Sequence, residues 1–258
     1  AAHALATLSP AEVFQPIAQA LTKATAKTRR GLRGSLSLSA QHRRARLAID
    51  RWLGSESFAS LDLVAQVDVL RSLENWLPKL QNGKLAFATT RKLDSSFRTR
   101  FLLLPAAGSL AAEGDAAALH FIRDSLNAAK QAHLRAQAAS VAARLEPLRG
   151  DLVTRITDPH PRVRAASLQS LSAATTPLRS SVIDAVGRSL SADPWTFVRR
   201  NAAALLGTQP RTADSDEALI DALEDRRKVV RIASLRAMGQ RKSHVAALAQ
   251  TAADLQTA

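Results

Sequence analysis

Three stretches of this sequence align without a gap: Asp158-Pro-His-Pro-Arg-Val-Arg-Ala-Ala-Ser-Leu, Asp193-Pro-Trp-Thr-Phe-Val-Arg-Arg-Asn-Ala-Ala and Asp225-Arg-Arg-Lys-Val-Val-Arg-Ile-Ala-Ser-Leu. Each places Val five residues after the Asp, Arg six after, a small residue nine after (Ser167, Ala202, Ser234) and an apolar residue thirteen after (Leu171, Leu206, Met238). The anchors are 35 and 32 residues apart. A unit of this length has one apolar face and cannot bury it alone, so it must stack on its neighbours. Val, the small residue and the last apolar residue recur at helical spacing, which puts them on one face of a helix that a second helix approaches closely.

Toward the N-terminus the pattern fades. Asp94-Ser-Ser-Phe-Arg-Thr-Arg100 carries Thr at the Val position, Ala129-Lys-Gln-Ala-His-Leu-Arg135 carries Ala at the Asp position, and Ala40-Gln-His-Arg-Arg-Ala-Arg46 fits more loosely. Arg46, Arg100, Arg135, Arg164, Arg199 and Arg231 thus share one register, with Leu70-Arg71 a weak match in the wide gap after Arg46. Each motif Asp is expected to cap the helix that follows it. Pro159 and Pro194 sit beside it, where a first-turn proline loses no helical bond. Gly207 and Gly239 are expected to end their helices as C-caps. A second helical segment lies between anchors, over roughly 180–190, 214–223 and 244–255.

Asp followed by Val-Arg on a helix pair of this length resembles the HEAT repeat, and more closely the HEAT-like subclass of the phycobilisome lyases, with its motif D-P-x-x-x-V-R-x-x-A. The first helices before Asp193 and Asp225 lack the kinking proline of typical HEAT repeats, which favours that subclass. The resemblance implies an all-α fold, an α-solenoid of antiparallel helix pairs. It covers 86–258, strongest from Leu145 onward, with 1–85 as divergent basic N-terminal helices of the same solenoid. It also implies that motif Asp and Arg pair within and between units as a structural ladder. Arg46 and Arg135 lack the Asp six residues earlier and are the two more available to a ligand, although the structural role is favoured there too.

The rest of the composition agrees with helices. Aromatics are 4%, Tyr and Cys are absent, and Gly and Pro number 10 each, which is poor material for a sandwich or barrel. Zero Cys excludes disulfides, thiolate nucleophiles and Cys-ligated zinc. The greasiest stretch, Phe101 to Ala112, is too short for a membrane span and is interrupted by Pro105 and Gly108. The sequence begins at Ala1 without Met, as expected of a processed chain or a piece of a longer one, and the cytoplasm is the expected location. In the N-terminal part, Ser9-Pro10-Ala11-Glu12 reads as a capping box with a kink at Pro16. Helices are expected over about 40–53 and 57–77, and the Gly- and Ser-containing stretch from Lys23 to Ser39 reads as a loop.

Catalytic chemistry finds little support. His3, His42, His120, His133, His160 and His244 form no H-E-x-x-H step and no His-Glu pair of the kind carried by HEAT-like metal hydroxylases. They read as surface or turn histidines, with no metal, no cofactor and no catalytic residue expected. Of Trp52, Trp76 and Trp195, the last lies in a basic stretch superficially similar to HEAT-like DNA glycosylases, but it too reads as a packing residue. Charge is more informative. Against 36 Lys+Arg stand 22 Asp+Glu, net +14. Lys23, Lys27, Arg29, Arg30, Arg33, Arg43, Arg44 and Arg46 fall within 24 residues that hold no acid. Such a density favours an anionic partner, and the absence of aromatics within it argues against sequence-specific single-strand reading. The expected function is therefore a non-catalytic scaffold for an acidic protein partner or assembly. A nucleic-acid binder acting through phosphate contacts is the alternative, and a DNA glycosylase or bilin lyase, suggested by resemblance alone, is third.

Overall fold

The computed structural model describes residues 2–128, 130–173 and 176–241. Every regular element among them is helical. The α-helices are α1 (Ala2–Leu8), α2 (Pro10–Ala20), α3 (Ala26–Ser39), α4 (Arg43–Leu53), α5 (Glu56–Ala59), α6 (Leu63–Ser72), α7 (Gln81–Leu93), α8 (Phe97–Ala112), α9 (Ala116–Asn127), α10 (Ala132–Val141), α11 (Arg149–Arg155), α12 (Pro161–Ser172), α13 (Ser180–Ala192), α14 (Thr196–Gly207), α15 (Ala213–Asp221) and α16 (Lys228–Gln240). None is long and apolar enough to cross a membrane. The chain divides into two units, Ala1–Ser125 and Leu126–Ala258.

In the second unit the three motif helices are α12, α14 and α16. They form a row in which α10 packs on α12, α12 on α14 and α14 on α16, while α11, α13 and α15 each pack on the motif helix that follows. Burial follows the repeat: Val163, Val198 and Val230, then Ser167, Ala202 and Ser234, are fully buried, with Leu171, Leu206 and Met238 behind them. Side chains tie the row together. Ser170 donates to the Ala139 carbonyl (2.8 Å), Asn201 to Ala165 (2.9 Å) and Arg241 to Leu206 (2.7 Å). Gly207 does not end α14 as a C-cap, and Gly239 lies inside α16. A Cβ at Gly207 would stand 2.8 Å from Ala237 Cα, so the glycine is there to let two helices touch. The expected helix over 244–255 lies outside the described residues.

The first unit also has two rows: α2, α4 and α7 in one, α1, α3, α6 and α8 in the other. Arg46 on α4 and Arg100 on α8 therefore stand in different rows, although the sequence puts them in one register. The weak match at Leu70-Arg71 lies on α6, the neighbour of α8. Phe14, Trp52 and Phe58 meet edge to face, with centroids 5.4 Å apart in each pair, and form part of this core.

Several local expectations are corrected. Residues 26–39 form a helix, not a loop: Thr25 caps it, accepting from the Thr28 N–H, and Ser35, Leu36 and Ser39 are buried at helical spacing. Two glycines cost roughly 1 kcal/mol each in a helix, and burial of that face offsets them. Ser9 makes no side-chain cap bond, so the expected box is absent there. The helix expected over 57–77 is interrupted, because Asp62 caps a new helix, α6, through the Ala65 N–H at 2.8 Å. The chain stays helical through both Pro16 and Pro105.

Candidate functional site

The six in-phase arginines are mostly structural. Arg135 on α10 grips Asp158 with two parallel bonds, Nε to Oδ2 at 2.9 Å and Nη2 to Oδ1 at 2.8 Å. Arg164 on α12 grips Asp193 in the same way (2.7 and 3.1 Å), and Arg199 on α14 grips Asp225 (2.7 and 3.1 Å). Each arginine thus reaches forward to the Asp of the next unit. Within its own unit it takes a backbone carbonyl instead: Arg164 that of Asp158 (2.9 Å), Arg199 that of Asp193 (2.8 Å) and Arg231 that of Asp225 (2.9 Å). A carbonyl needs no particular side chain, and Arg46 makes the same bond to Ala40 (3.0 Å) without an Asp. Arg135 is not open to a ligand: its side chain is only 7% exposed and Asp158's 1%. Arg100 donates to Ser125 and lies over the Phe121 ring.

The motif Asp is not the N-cap. His160, Trp195 and Arg227 occupy that position, and the Asp two residues earlier accepts the cap residue's backbone N–H at 2.8–2.9 Å. Asp94 does the same for Ser96. Each ladder carboxylate therefore turns the chain and binds the preceding unit at once. Burial pushes the Asp158 carboxyl up, but the Arg135 hydrogen bond, the His160 N–H and the charges of Arg135 and Arg155 outweigh it and hold it below its ordinary value. For Asp225 the same opposition runs through Arg199, the Arg227 N–H and Arg226, with the same result.

The structure divides the basic run by role. Arg29 and Arg33 donate to buried Asp68 (3.3 and 2.7 Å). Arg46 stacks on Trp76, 4.3 Å from the ring centroid. Lys23, Lys27, Arg30, Arg43 and Arg44 are exposed. Arg43 and Arg44 occupy the first turn of α4, which holds no acid, against the positive end of the helix dipole.

A second feature belongs to no motif. An open groove of about 570 Å³ runs between α14 and α16. Ala204, Val229, Ile232 and Ala233 floor it, and Arg200 and Arg236 flank it. No carboxylate lines it among the described residues. Val229 is 45% exposed, an apolar side chain left in water. The signal was present in the sequence as outward stripes, Arg200–Ala204–Thr208 and Val229–Ala233–Arg236–Gln240, at spacings of three and four.

The histidines form no metal set among the described residues. His160 begins α12, its Nδ1 accepting from the Arg162 N–H at 3.3 Å, and its ring lies 6.1 Å from that of His133. His244 lies outside the described residues. Trp52 is in the core, Trp76 is half-buried under Arg46, and Trp195 is half-exposed beside Phe197. Comparison with models of protein families and with curated proteins finds nothing that matches this chain.

Proposed function

We propose that this chain is an α-solenoid of HEAT-like repeats, of the phycobilisome-lyase type, serving as a non-catalytic scaffold that holds an acidic amphipathic segment of a protein partner. The groove between α14 and α16 carries this reading. Its floor is apolar and, among the described residues, its two flanking cations have no carboxylate beside them in the lining. An amphipathic helix would lay apolar side chains on Val229, Ile232 and Ala233 and bring Asp or Glu to Arg200 and Arg236, the groove-binding mode of many helical ligands. The forward grip of each arginine on the next unit supports the stacked architecture, since it gives the floor a fixed backing.

The test is a pull-down with the full chain from lysate of the source organism, with and without nuclease, beside the variant Arg200→Glu/Arg236→Glu. Protein partners that survive nuclease and are lost with the variant are expected. Capture that disappears with nuclease, or is the same for the variant, overturns the reading.

A further inference from the structure

In the first unit three arginines converge on one carboxylate. Asp68 on α6 has a side chain 5% exposed; Arg29 and Arg33 reach it from α3, and Arg71 Nη1 lies 4.0 Å away. One buried negative charge thus faces three positive ones. Burial, then the charge of Arg33, lowers the Arg71 pKa, and burial pushes the nearby Glu74 carboxyl up. Arg29, Arg30, Arg33 and Arg71 stand against Asp68 and Glu74, so the local balance keeps an excess of cation.

A polar groove of about 320 Å³ opens over this cluster, with Arg30, Arg33, Gly34, Ser37 and Arg71 in its lining together with one carboxylate, Glu74. Lys27, Arg30, Gly34 and Ser37 follow one another along α3 at steps of three, four and three residues, on the side away from buried Leu36 and Ser39. At 1.5 Å per residue this stripe is about 15 Å long. The space over Gly34 is open, with no atom within 4 Å of a Cβ placed there, so a ligand backbone can come close to the helix.

We propose that this stripe, with Arg33 and Arg71 beneath it, is a contact for the phosphodiester backbone of nucleic acid. Lys27 and Arg30 carry the positive charge along α3 beyond Arg33 and Arg71, which suits a linear polyanion, whereas a single phosphorylated residue is usually held by one closed cluster. A membrane surface would call for large apolar side chains among the cations, and none of the exposed large hydrophobics lies on α3. The stripe carries no aromatic, so binding is indifferent to base sequence. Asp68 holds Arg33 at the groove in advance. This site is separate from the α14–α16 groove, and its failure leaves that reading untouched.

The experiment is fluorescence anisotropy of the full chain with labelled duplex DNA over a range of salt. Four phosphate contacts, from Lys27, Arg30, Arg33 and Arg71, give a slope of log K against log salt of about −3.6, from roughly −0.9 per phosphate. Lys27→Gln/Arg30→Gln is expected to bring the slope to about −1.8 with unchanged base preference. Gly34→Glu, which sets a carboxylate in the groove at a position with open space, is expected to weaken binding at least about tenfold at low salt, as a lost charged contact does. Circular dichroism checks that both variants keep wild-type helix content. Arg200→Glu/Arg236→Glu is expected to bind DNA as the wild type does. An unchanged slope in Lys27→Gln/Arg30→Gln overturns the proposal. So does binding of anionic vesicles, a phosphopeptide or inorganic phosphate without binding of DNA.

Discussion

At the scale of single residues, the motif Asp does two jobs. As the acceptor of the cap residue's N–H alone, its loss would cost about 1 kcal/mol. Asp193 also neutralises Arg164, whose side chain is 14% exposed, and removing one partner of a largely buried pair costs about 3 kcal/mol or more. Asp193→Ala is therefore expected to lose about 3 kcal/mol in urea melts, and Val198→Asp, which buries a lone charge, several. A loss near 1 kcal/mol for Asp193→Ala would mean that Arg164 finds water as good a partner. The hydroxyls of Ser167 and Ser234 are buried without a hydrogen-bond partner among the described residues, at the position where the middle unit has Ala202. Ser167→Ala is expected to stabilise by about 1 kcal/mol, because an unmet buried hydroxyl carries its full desolvation cost. The sequence shows which residues recur, but not whether a recurring Arg looks back or forward. Both distances are short along a folded chain, and only the packing of one unit on the next selects the forward Asp.

At the scale of elements, two glycines test the account from opposite sides. Gly31 lies on the exposed face of α3 with open space around it, whereas Gly207 lies where Ala237 touches α14. Gly31→Ala is expected to raise stability by about 0.5–1 kcal/mol. Gly207→Ala is expected to lower it by about 1–3 kcal/mol through overpacking. Thermal melts of the two variants should move in opposite directions. The same local reasoning shows why 23–39 misleads when read as sequence. Gly31, Gly34 and a dense set of cations signal a loop, and the helix exists because Ser35, Leu36 and Ser39 are buried against neighbours that local composition does not announce. The motif helices were legible for the contrary reason: there, buried Val, a small residue and Leu or Met fall at helical spacing within twelve residues, so the local pattern and the tertiary contact agree.

For the whole molecule, acid should act through the ladder. Asp158 and Asp225 titrate below their ordinary value in the folded chain. Their contribution is therefore complete above the unfolded carboxylate value of about 3.9, and is lost as pH falls through the folded values beneath it. Urea unfolding from neutral pH to about pH 2 is expected to show stability falling over that acid window. Asp158→Asn/Asp225→Asn is expected to flatten the profile there, and an equally steep profile in that variant would place the acid sensitivity elsewhere. The order of helices in the second unit could be anticipated from the period of the repeat. The rows of the first unit could not, because Arg46 and Arg100 carry the same local spacing on helices that belong to different rows.

The forward grip of each arginine has a consequence for how such a chain can change length. From α10 to α16 each arginine grips the acid of the next unit, so the junctions Arg135–Asp158, Arg164–Asp193 and Arg199–Asp225 are chemically alike. Remove one full period, the stretch from 159 to 193, and Arg135 meets Asp158 as before, while the arginine that then follows, Arg199, already faces Asp225. Copy a period instead, and the new junction is of a kind the protein already makes three times. A gene encoding this pattern can lengthen or shorten by duplication and deletion without having to invent an interface.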